Sequence, residues 1–363
     1  MKKEERVLLS VVDVEEKYKI NPAETVSNGG IVSWGADNNI PALLFNCYEK
    51  SATLKAAIDQ SINYVLGDAI VVTDDAAIWK DEINRRHQDM DTLLNHISYD
   101  FYIFGNYAIQ LIFNRLGQPV ELIPLDVAKC RLSEDRTKVF YSKKNWTKYQ
   151  TKSEEYDRFG YAPFNPEKPT QIYFYNGPGV RRTYNTAPWA ASLDDVLTEI
   201  EGSRYSLNSV TNGFSARYLL TLPGTASLTD EQKQAIETSL RERFCGYDAP
   251  SNFMLYYAED DNVTIKVDKI EANEDPINFI NMRKASRSNI LTSLRMSPLL
   301  LGVSDGTSSV GFATQEFSDS YRLFDRTVAA PVRKMLVDSV NDVIGVKDGV
   351  YIKPFTINFS NEG

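Results

Sequence analysis

Residues 299–317 read LLLGVSDGTSSVGFATQEF, and the organisation of the chain is best understood outward from this stretch. Helix-forming sequence lies on both sides of it. Between the helices run roughly eight residues rich in Gly, Ser, Thr and Asp, which cannot fill a hydrophobic core. The pattern predicts two helices joined by a polar loop that deforms easily. The purpose of such a loop has to be inferred from the sequence on either side of it.

The composition is that of an ordinary globular chain. Of 363 residues, 42% are hydrophobic and 25% are charged, enough for two or three compact units. No run approaches the ~20 apolar residues of a membrane span, and the N-terminal residues do not resemble a secretory signal, so we expect no membrane partner. Three widely spaced cysteines, Cys47, Cys130 and Cys245, favour buried thiols in a reducing compartment.

Charge is distributed unevenly along the chain. The formal net charge of −9 argues against simple adsorption onto DNA or an anionic membrane. Residues 276–334 nevertheless carry eight bases against four acids, whereas residues 224–275 carry five bases against twelve acids. The sequence therefore predicts separate acidic and basic surfaces.

No catalytic machinery is recognisable. The chain has only two histidines, His87 and His96, and it lacks CxxC, HExxH, EF-hand, P-loop and GxSxG patterns. The acidic pair Asp260–Asp261 fits a hairpin turn, and Asp194–Asp195 fits the first turn of a helix. We therefore predict a protein that is not an enzyme, with no metal site and no cofactor.

Helices and a small sheet are predicted for the first half. A turn at residues 37–41 should lead into helical sequence that ends at Gly67, and a further helix should run from Asp91 to Phe104 and stop at Gly105. The stretch after Tyr107 predicts a hairpin around NRLGQP followed by a third strand. Residues 139–189, rich in Tyr, Pro and Gly, predict further strands and long loops.

A helix from about Leu193 to Phe214 carries a narrow apolar stripe. Its members recur at three- and four-residue spacing, which predicts that one face packs against a neighbouring helix. They are Leu193, Val196, Ile200, Ser203, Leu207, Val210 and Phe214.

The second half alternates helices with a small insert. Residues 215–270 predict a strand, a capped helix and a hairpin over NFMLYYAEDDNVTIKV. A helix should follow from Pro276 to about 296, and a longer one from about 311 to 344 should be kinked or divided by Pro331. The closing GVYIKPFTINFSNEG predicts a short strand pair or an extended tail.

This order of elements resembles the core of the portal proteins of tailed bacteriophages over roughly residues 30–340. Several stretches are similar to family motifs: WGADNNIP with the helix after it, FYIFGNYAIQLIFNRLGQPVELIPLDVAKCRL, RKASRSNILTSLRMSPLLLGVSD and ATQEFSDSYRLFDRTVAAPVRK. The chain departs from the family where YNTAPW replaces a Tyr-Gly-x-Pro element. Little sequence follows Ile344, so we expect the C-terminal crown to be reduced or absent.

The resemblance implies an α+β, portal-like fold. It divides the chain into an N-terminal arm (1–30), an α/β wing (31–190), a first stem helix (191–214), a clip (215–270), a second stem helix (271–298), a tunnel loop (299–311) and a long kinked wing helix with a short β tail (312–363). The stem helices would surround a channel.

The resemblance also implies a function. Portal subunits form a homo-oligomeric ring, usually of twelve, at one capsid vertex, where double-stranded DNA is packaged and ejected. Implied partners are the major capsid protein, the terminase large subunit and a head–tail adaptor. The expected location is the virion, with assembly in the host cytoplasm. Another virion ring or adaptor component, a non-viral scaffold and a DNA-acting enzyme remain alternatives.

Two groups of residues are candidate DNA contacts. The tunnel loop would present Gly302, Ser304, Asp305, Gly306, Thr307, Ser308, Ser309 and Gly311, which deform easily and contact phosphate weakly. A basic channel face would hold Lys284, Arg287 and Arg295, near Ser288 and opposite Ile280, Leu291 and Leu294. The alternatives are a plain helix connector for the loop and salt bridges to a neighbouring subunit's Asp195 or Glu199 for the bases.

Overall fold

The computed structural model describes residues 23–27, 29–146, 151–177, 182–211, 217–222, 245–246, 249–250, 253–257, 266–270, 276–302 and 314–357, with isolated positions between 229 and 238. The chain divides into two compact units. The first is drawn from residues 1–46, 58–188 and 313–363, and the second from residues 47–57 and 189–312. The mixture of helices and sheets confirms the predicted α+β class.

The helices and strands follow one another in the predicted order. The helices are α1 (Ile40–Lys50), α2 (Ala52–Leu66), α3 (Met90–Phe104), α4 (Leu193–Thr211), α5 (Pro276–Ser293), α6 (Thr314–Phe324) and α7 (Ala330–Ile344). The strands are β1 (Ala69–Val72), β2 (Tyr107–Phe113), β3 (Pro119–Leu125), β4 (Cys130–Leu132), β5 (Lys138–Tyr141), β6 (Glu154–Arg158), β7 (Thr170–Tyr175), β8 (Arg217–Leu222), β9 (Cys245–Gly246), β10 (Ala249–Pro250), β11 (Phe253–Tyr257), β12 (Lys266–Ile270) and β13 (Val350–Lys353).

Local sequence signals set both ends of α3. The Asp89 carboxylate accepts a hydrogen bond from the Thr92 N–H at 2.8 Å, which caps the helix and lowers the pKa of Asp89. Gly105 ends the helix with a φ of +76°, and a Cβ at this position would lie 2.5 Å from the Thr186 carbonyl oxygen. The predicted helix is therefore confirmed, beginning one residue earlier.

A six-stranded sheet forms the centre of the first unit. Its order is β3-β2-β7-β6-β5-β4, and only β6 and β7 are paired in parallel. The predicted β2–β3 hairpin is confirmed, but β4 lies at the opposite edge of the sheet. Both edges are partly covered: the Ile83 carbonyl accepts from the Leu122 N–H, and the Leu132 carbonyl accepts from the Val32 N–H.

The C-terminal strand pairs with a distant strand. β13 lies antiparallel to β1, with Ala69 opposite Lys353 and Val72 opposite Val350. The predicted strand within the tail is confirmed, but its partner comes from the first half of the chain. Gly67 permits this close approach, because a Cβ there would lie 2.0 Å from the Lys353 carbonyl oxygen.

The long C-terminal helix is divided near its internal proline, as predicted. A π-helical turn, Asp325–Ala329, joins α6 to α7 just before Pro331. Proline has no N–H, so the α-helical hydrogen-bond ladder cannot continue through that position. The wider turn therefore lies where the ladder is interrupted.

Arg333 holds the π-helical turn to the end of α2. Its buried guanidinium donates to the Asp325 carboxylate at 2.9 Å and to the carbonyl oxygens of Tyr64 (2.8 Å) and Val65 (2.9 Å). Carbonyls at a helix C-terminus lack partners within the helix, so a cation placed there stabilises them.

We expect Arg333→Ala to lower the free energy of unfolding by about 2–4 kcal/mol, because it leaves the α2 carbonyls and Asp325 without their donor. Chemical denaturation of the full chain measures this loss. Lys334→Ala is the matched control, since Lys334 pairs with Asp338 at the surface and its loss should cost under about 1 kcal/mol. Equal losses in the two variants would contradict the role given to Arg333.

The insert in the second unit contains a sheet whose order differs from the prediction. β8 lies in the middle, parallel to β11 and antiparallel to β12. The expected hairpin between β11 and β12 is therefore wrong, because both strands pair with β8. A parallel β8–β11 pair needs a long crossover, and helical residues at 231–232, 234–235 and 238 lie within it, as predicted. Asp260 and Asp261 lie outside the described residues.

Candidate nucleic-acid interface

Helices α4 and α5 pack side by side and run in opposite directions. The Ser192 hydroxyl, just before α4, lies 2.9 Å from the Ser293 hydroxyl at the end of α5. Further along, the Asn289 side-chain amide donates to the Asp195 carboxylate at 3.0 Å. These paired contacts fix the register of the two helices.

The apolar stripe of α4 is buried over only half of its described length. Val196 and Ile200 are buried, whereas Ser203 is exposed and Leu207 is 65% exposed. Within this chain, the predicted stripe therefore packs at Val196 and Ile200, and its continuation at Ser203 and Leu207 is exposed. Val210 and Phe214, the last two members of the predicted stripe, lie outside the described side chains.

Asp195, Glu199 and Glu201 of α4 are engaged within the second unit. The Glu199 carboxylate accepts from the Thr53 N–H (3.3 Å), the Thr53 hydroxyl (2.9 Å) and the Ser51 hydroxyl, all at the N-terminus of α2. Glu201 pairs with Arg204. Asp195 accepts from Asn289, and the remaining acid of α4, Asp194, is exposed.

The bases of α5 have no such partners among the residues that the structure describes. Residues 276–295 contain Arg283, Lys284, Arg287 and Arg295 and no Asp or Glu. Lys284 and Arg283 are exposed, and Arg287 is half-buried. Within the part of the chain that the structure describes, no carboxylate forms a salt bridge with any of these four side chains. Arg283 was not among the predicted bases of this face, although it precedes Lys284 on the same helix.

The predicted basic face needs one correction. Leu291 and Leu294 are buried, but at 100° per residue they lie on the same side of the helix as Arg287 and not opposite it. Arg287 is half-buried for this reason. Lys284, earlier along the helix, and Arg295, beyond its end, remain exposed.

Arg295 follows the end of α5 in a left-handed conformation. Its φ is +54°, its N–H donates to the Thr292 carbonyl (3.0 Å), and the Met296 N–H donates to the Leu291 carbonyl (3.0 Å). This pair of bonds is the Schellman motif, in which glycine usually occupies the left-handed position.

The predicted tunnel loop begins with a short 3₁₀ turn, Pro298–Leu301. The Ser297 side chain accepts from the Leu299 N–H, and the turn ends at exposed Gly302, whose φ is +68°. The other candidate loop residues, Ser304, Asp305, Gly306, Thr307, Ser308, Ser309 and Gly311, lie outside the described residues.

Groups suited to catalysis or metal binding are not assembled in the described ranges. The ring of His87 pairs with Glu82, and His96 Nε2 lies 3.1 Å from the Leu125 carbonyl oxygen. Burial raises the pKa of the Cys47 thiol to about 11. Across the residues that the structure describes, no three His, Cys, Asp or Glu side chains come together as a potential metal site. No helix in those ranges is both long and apolar enough to cross a membrane.

Solved structures with a similar fold come from phage-like particles. The neck of the native gene transfer agent (GTA) particle, computed with C12 symmetry, has a TM-score of 0.56 and 12% identity, over 92% of this chain and 86% of that chain. The neck of the empty GTA particle, computed with C6 symmetry, has a TM-score of 0.55 and 13% identity, over 87% of this chain and 84% of that chain. An HK97-family phage portal protein from Corynebacterium diphtheriae has a TM-score of 0.54 and 11% identity, over 85% of this chain and 94% of that chain.

Sequence comparison gives the family directly. No curated protein sequence matches the chain. The family model described as phage portal protein matches residues 71–355, which is most of the chain and includes α3, the six-stranded sheet and the α4–α5 pair. The chain therefore belongs to the phage portal protein family.

Proposed function

We propose that this chain forms a ring of about twelve identical subunits at one vertex of a phage capsid, around a channel for double-stranded DNA. The family is structural and not catalytic, which sets aside a DNA-acting enzyme. Similarity to necks computed with C12 and C6 symmetry supports a ring. The ring belongs to the virion and assembles in the host cytoplasm, where it meets the capsid protein, the terminase large subunit and a head–tail adaptor.

One observation carries the proposal that α5 faces DNA. The α5 bases Lys284 and Arg287 lack carboxylate partners in the described ranges, whereas Asp195 and Glu199 are engaged within their own subunit. Intersubunit salt bridges would have to share these carboxylates with the donors that they already bind. Phosphate groups supply the missing negative charge at no such cost, so the bases form a belt that contacts the DNA backbone without reading its sequence.

The polar loop after Gly302 extends this surface into the bore. Glycine and short hydroxyl side chains deform easily and exchange contacts with a moving polyanion. A loop rich in Lys or Arg would hold DNA through counterion release and slow its passage.

Ring formation is tested by native mass spectrometry of the purified protein together with negative-stain images. Closed rings of about twelve subunits with an open bore are the expected result. If the purified protein is a monomer, incorporation is measured instead in assembled heads, and heads that exclude the protein would overturn the proposal.

We expect the Lys284→Gln/Arg287→Gln variant to bind DNA more weakly than the native ring, by roughly tenfold. The reason is counterion release: each lost phosphate contact lowers the slope of log affinity against log salt by about 0.9. Fluorescence anisotropy with a labelled duplex, titrated at several salt concentrations, measures both quantities.

The matched control for this experiment is Lys168→Gln/Lys347→Gln, which removes the same charge from exposed positions in the first unit. This control should change affinity and slope little. Equal losses in both double variants would assign the effect to net charge and contradict the α5 contact.

A further inference from the structure

Arg295 differs from the other described residues that end a helical segment in the left-handed conformation. Within the described ranges, the helical segments that end in a left-handed residue at other places all use glycine there: Gly67 (φ +59°), Gly105 (+76°), Gly302 (+68°) and Gly345 (+69°). After α5 the same position holds an arginine with a φ of +54°.

A left-handed arginine carries a steric cost that glycine avoids. In this conformation the Cβ of an L-residue lies too close to the following carbonyl oxygen, and glycine has no Cβ. Asparagine tolerates the conformation better than arginine, because its short polar side chain can bond locally. Backbone preference alone would therefore favour glycine or asparagine at position 295.

Contacts within the described part of the subunit do not account for the arginine. The backbone bonds from Arg295 and Met296 end the helix, and Leu291 and Met296, the positions that are usually apolar in this motif, are both buried. Neither feature uses the guanidinium group, whose possible effect on the helix dipole is separated by the substitutions below. The Arg295 side chain is exposed and forms no salt bridge with a described carboxylate.

We propose that Arg295 is the principal phosphodiester contact of the α5 surface and that it presents its guanidinium to DNA from a backbone position that favours glycine. This inference rests on the proposed DNA channel and adds which base matters most and why. A guanidinium presents paired N–H groups that match two phosphate oxygens. Arg295 lies between the end of α5 and the turn that leads to Gly302, so it borders the proposed loop contact.

Three substitutions separate the effect of the left-handed backbone at position 295 from the effect of its positive charge. Arg295→Gly should raise the thermal unfolding midpoint of the full-length protein by about 2 °C and weaken binding of a labelled DNA duplex by roughly tenfold. Arg295→Asn should weaken binding as much, without a loss of stability. Arg295→Lys should keep most of the affinity and the native salt slope, because it keeps the charge.

The outcomes distinguish this inference from the proposed function. Native affinity in Arg295→Gly, with weaker binding by Lys284→Gln/Arg287→Gln, would overturn the inference and leave the DNA channel standing. A native protein that does not bind the duplex, even as closed rings, would overturn both. If Arg295→Gly and Arg295→Asn both unfold at lower temperature than native and Arg295→Lys does not, the guanidinium serves the α5 C-terminus through the helix dipole, and the inference is wrong.

Discussion

Replacing Arg131 with methionine is expected to lower the free energy of unfolding by about 3–5 kcal/mol. The Arg131 guanidinium is buried and donates to the carbonyl oxygens of Ala128 (2.8 Å), Cys130 (2.6 Å) and Asn38 (3.2 Å), and to the Asn38 side-chain oxygen (2.5 Å). Methionine fills much of the volume but donates nothing, so the carbonyl oxygens would lose this donor and the Asn38 side-chain oxygen would keep the Trp34 N–H.

Two tryptophans complete the surroundings of Arg131. Its guanidinium carbon lies 5.6 Å from the ring centroid of Trp34 and 5.2 Å from that of Trp146, distances at which a cation is attracted to an aromatic face. Burial lowers the pKa of Arg131 to about 10, so the group is still charged at neutral pH. The WGADNN motif therefore has a physical role, since Trp34 and Asn38 both hold this buried cation.

Chemical denaturation of the full chain measures the loss. Arg115→Met is the matched control, because Arg115 is exposed on the β2–β3 turn and its replacement should change stability by less than about 0.5 kcal/mol. Arg131→Lys should fall between native and Arg131→Met, since an ammonium cannot reach all of these oxygens at once. A loss for Arg131→Met no larger than for the control would show that the carbonyls find other donors.

Removing Ser304–Ser309 should leave ring assembly unchanged and lower the yield of DNA-filled heads by roughly tenfold, a difference of about 1.4 kcal/mol in the limiting step. The expected loss follows from loop length, because a shortened connection between the 3₁₀ turn and α6 would not reach DNA in the proposed channel. Filled and empty heads are counted after gradient separation, with ring formation checked by native mass spectrometry.

Two variants of unchanged length make the loop experiment specific. Replacing Ser304, Thr307, Ser308 and Ser309 with alanine tests the hydroxyl contacts, and Thr307→Arg/Ser308→Arg tests the expectation that added cations slow DNA. Normal yields of filled heads from the shortened loop would contradict its role in the channel.

Much of the local structure was predictable from neighbouring residues. Glycines mark the ends of α2, α3 and α7, and the NRLGQP turn marks the β2–β3 hairpin, because caps and turns depend on interactions within a few residues. Pro331 likewise predicted the division of the last helix. The bases on α5 could be listed from the sequence as candidates, but their surroundings could not.

Only the tertiary structure decided which distant strands pair and which charged side chains have partners. β13 pairs with β1, about 280 residues earlier, and β8 lies between β11 and β12, since strand order depends on which apolar faces meet and not on local sequence. Folding also engages Glu199 at the N-terminus of α2 and leaves the α5 bases without described carboxylate partners. These properties arise from contacts between segments far apart in sequence, and periodicity and composition carry no information about which segments meet.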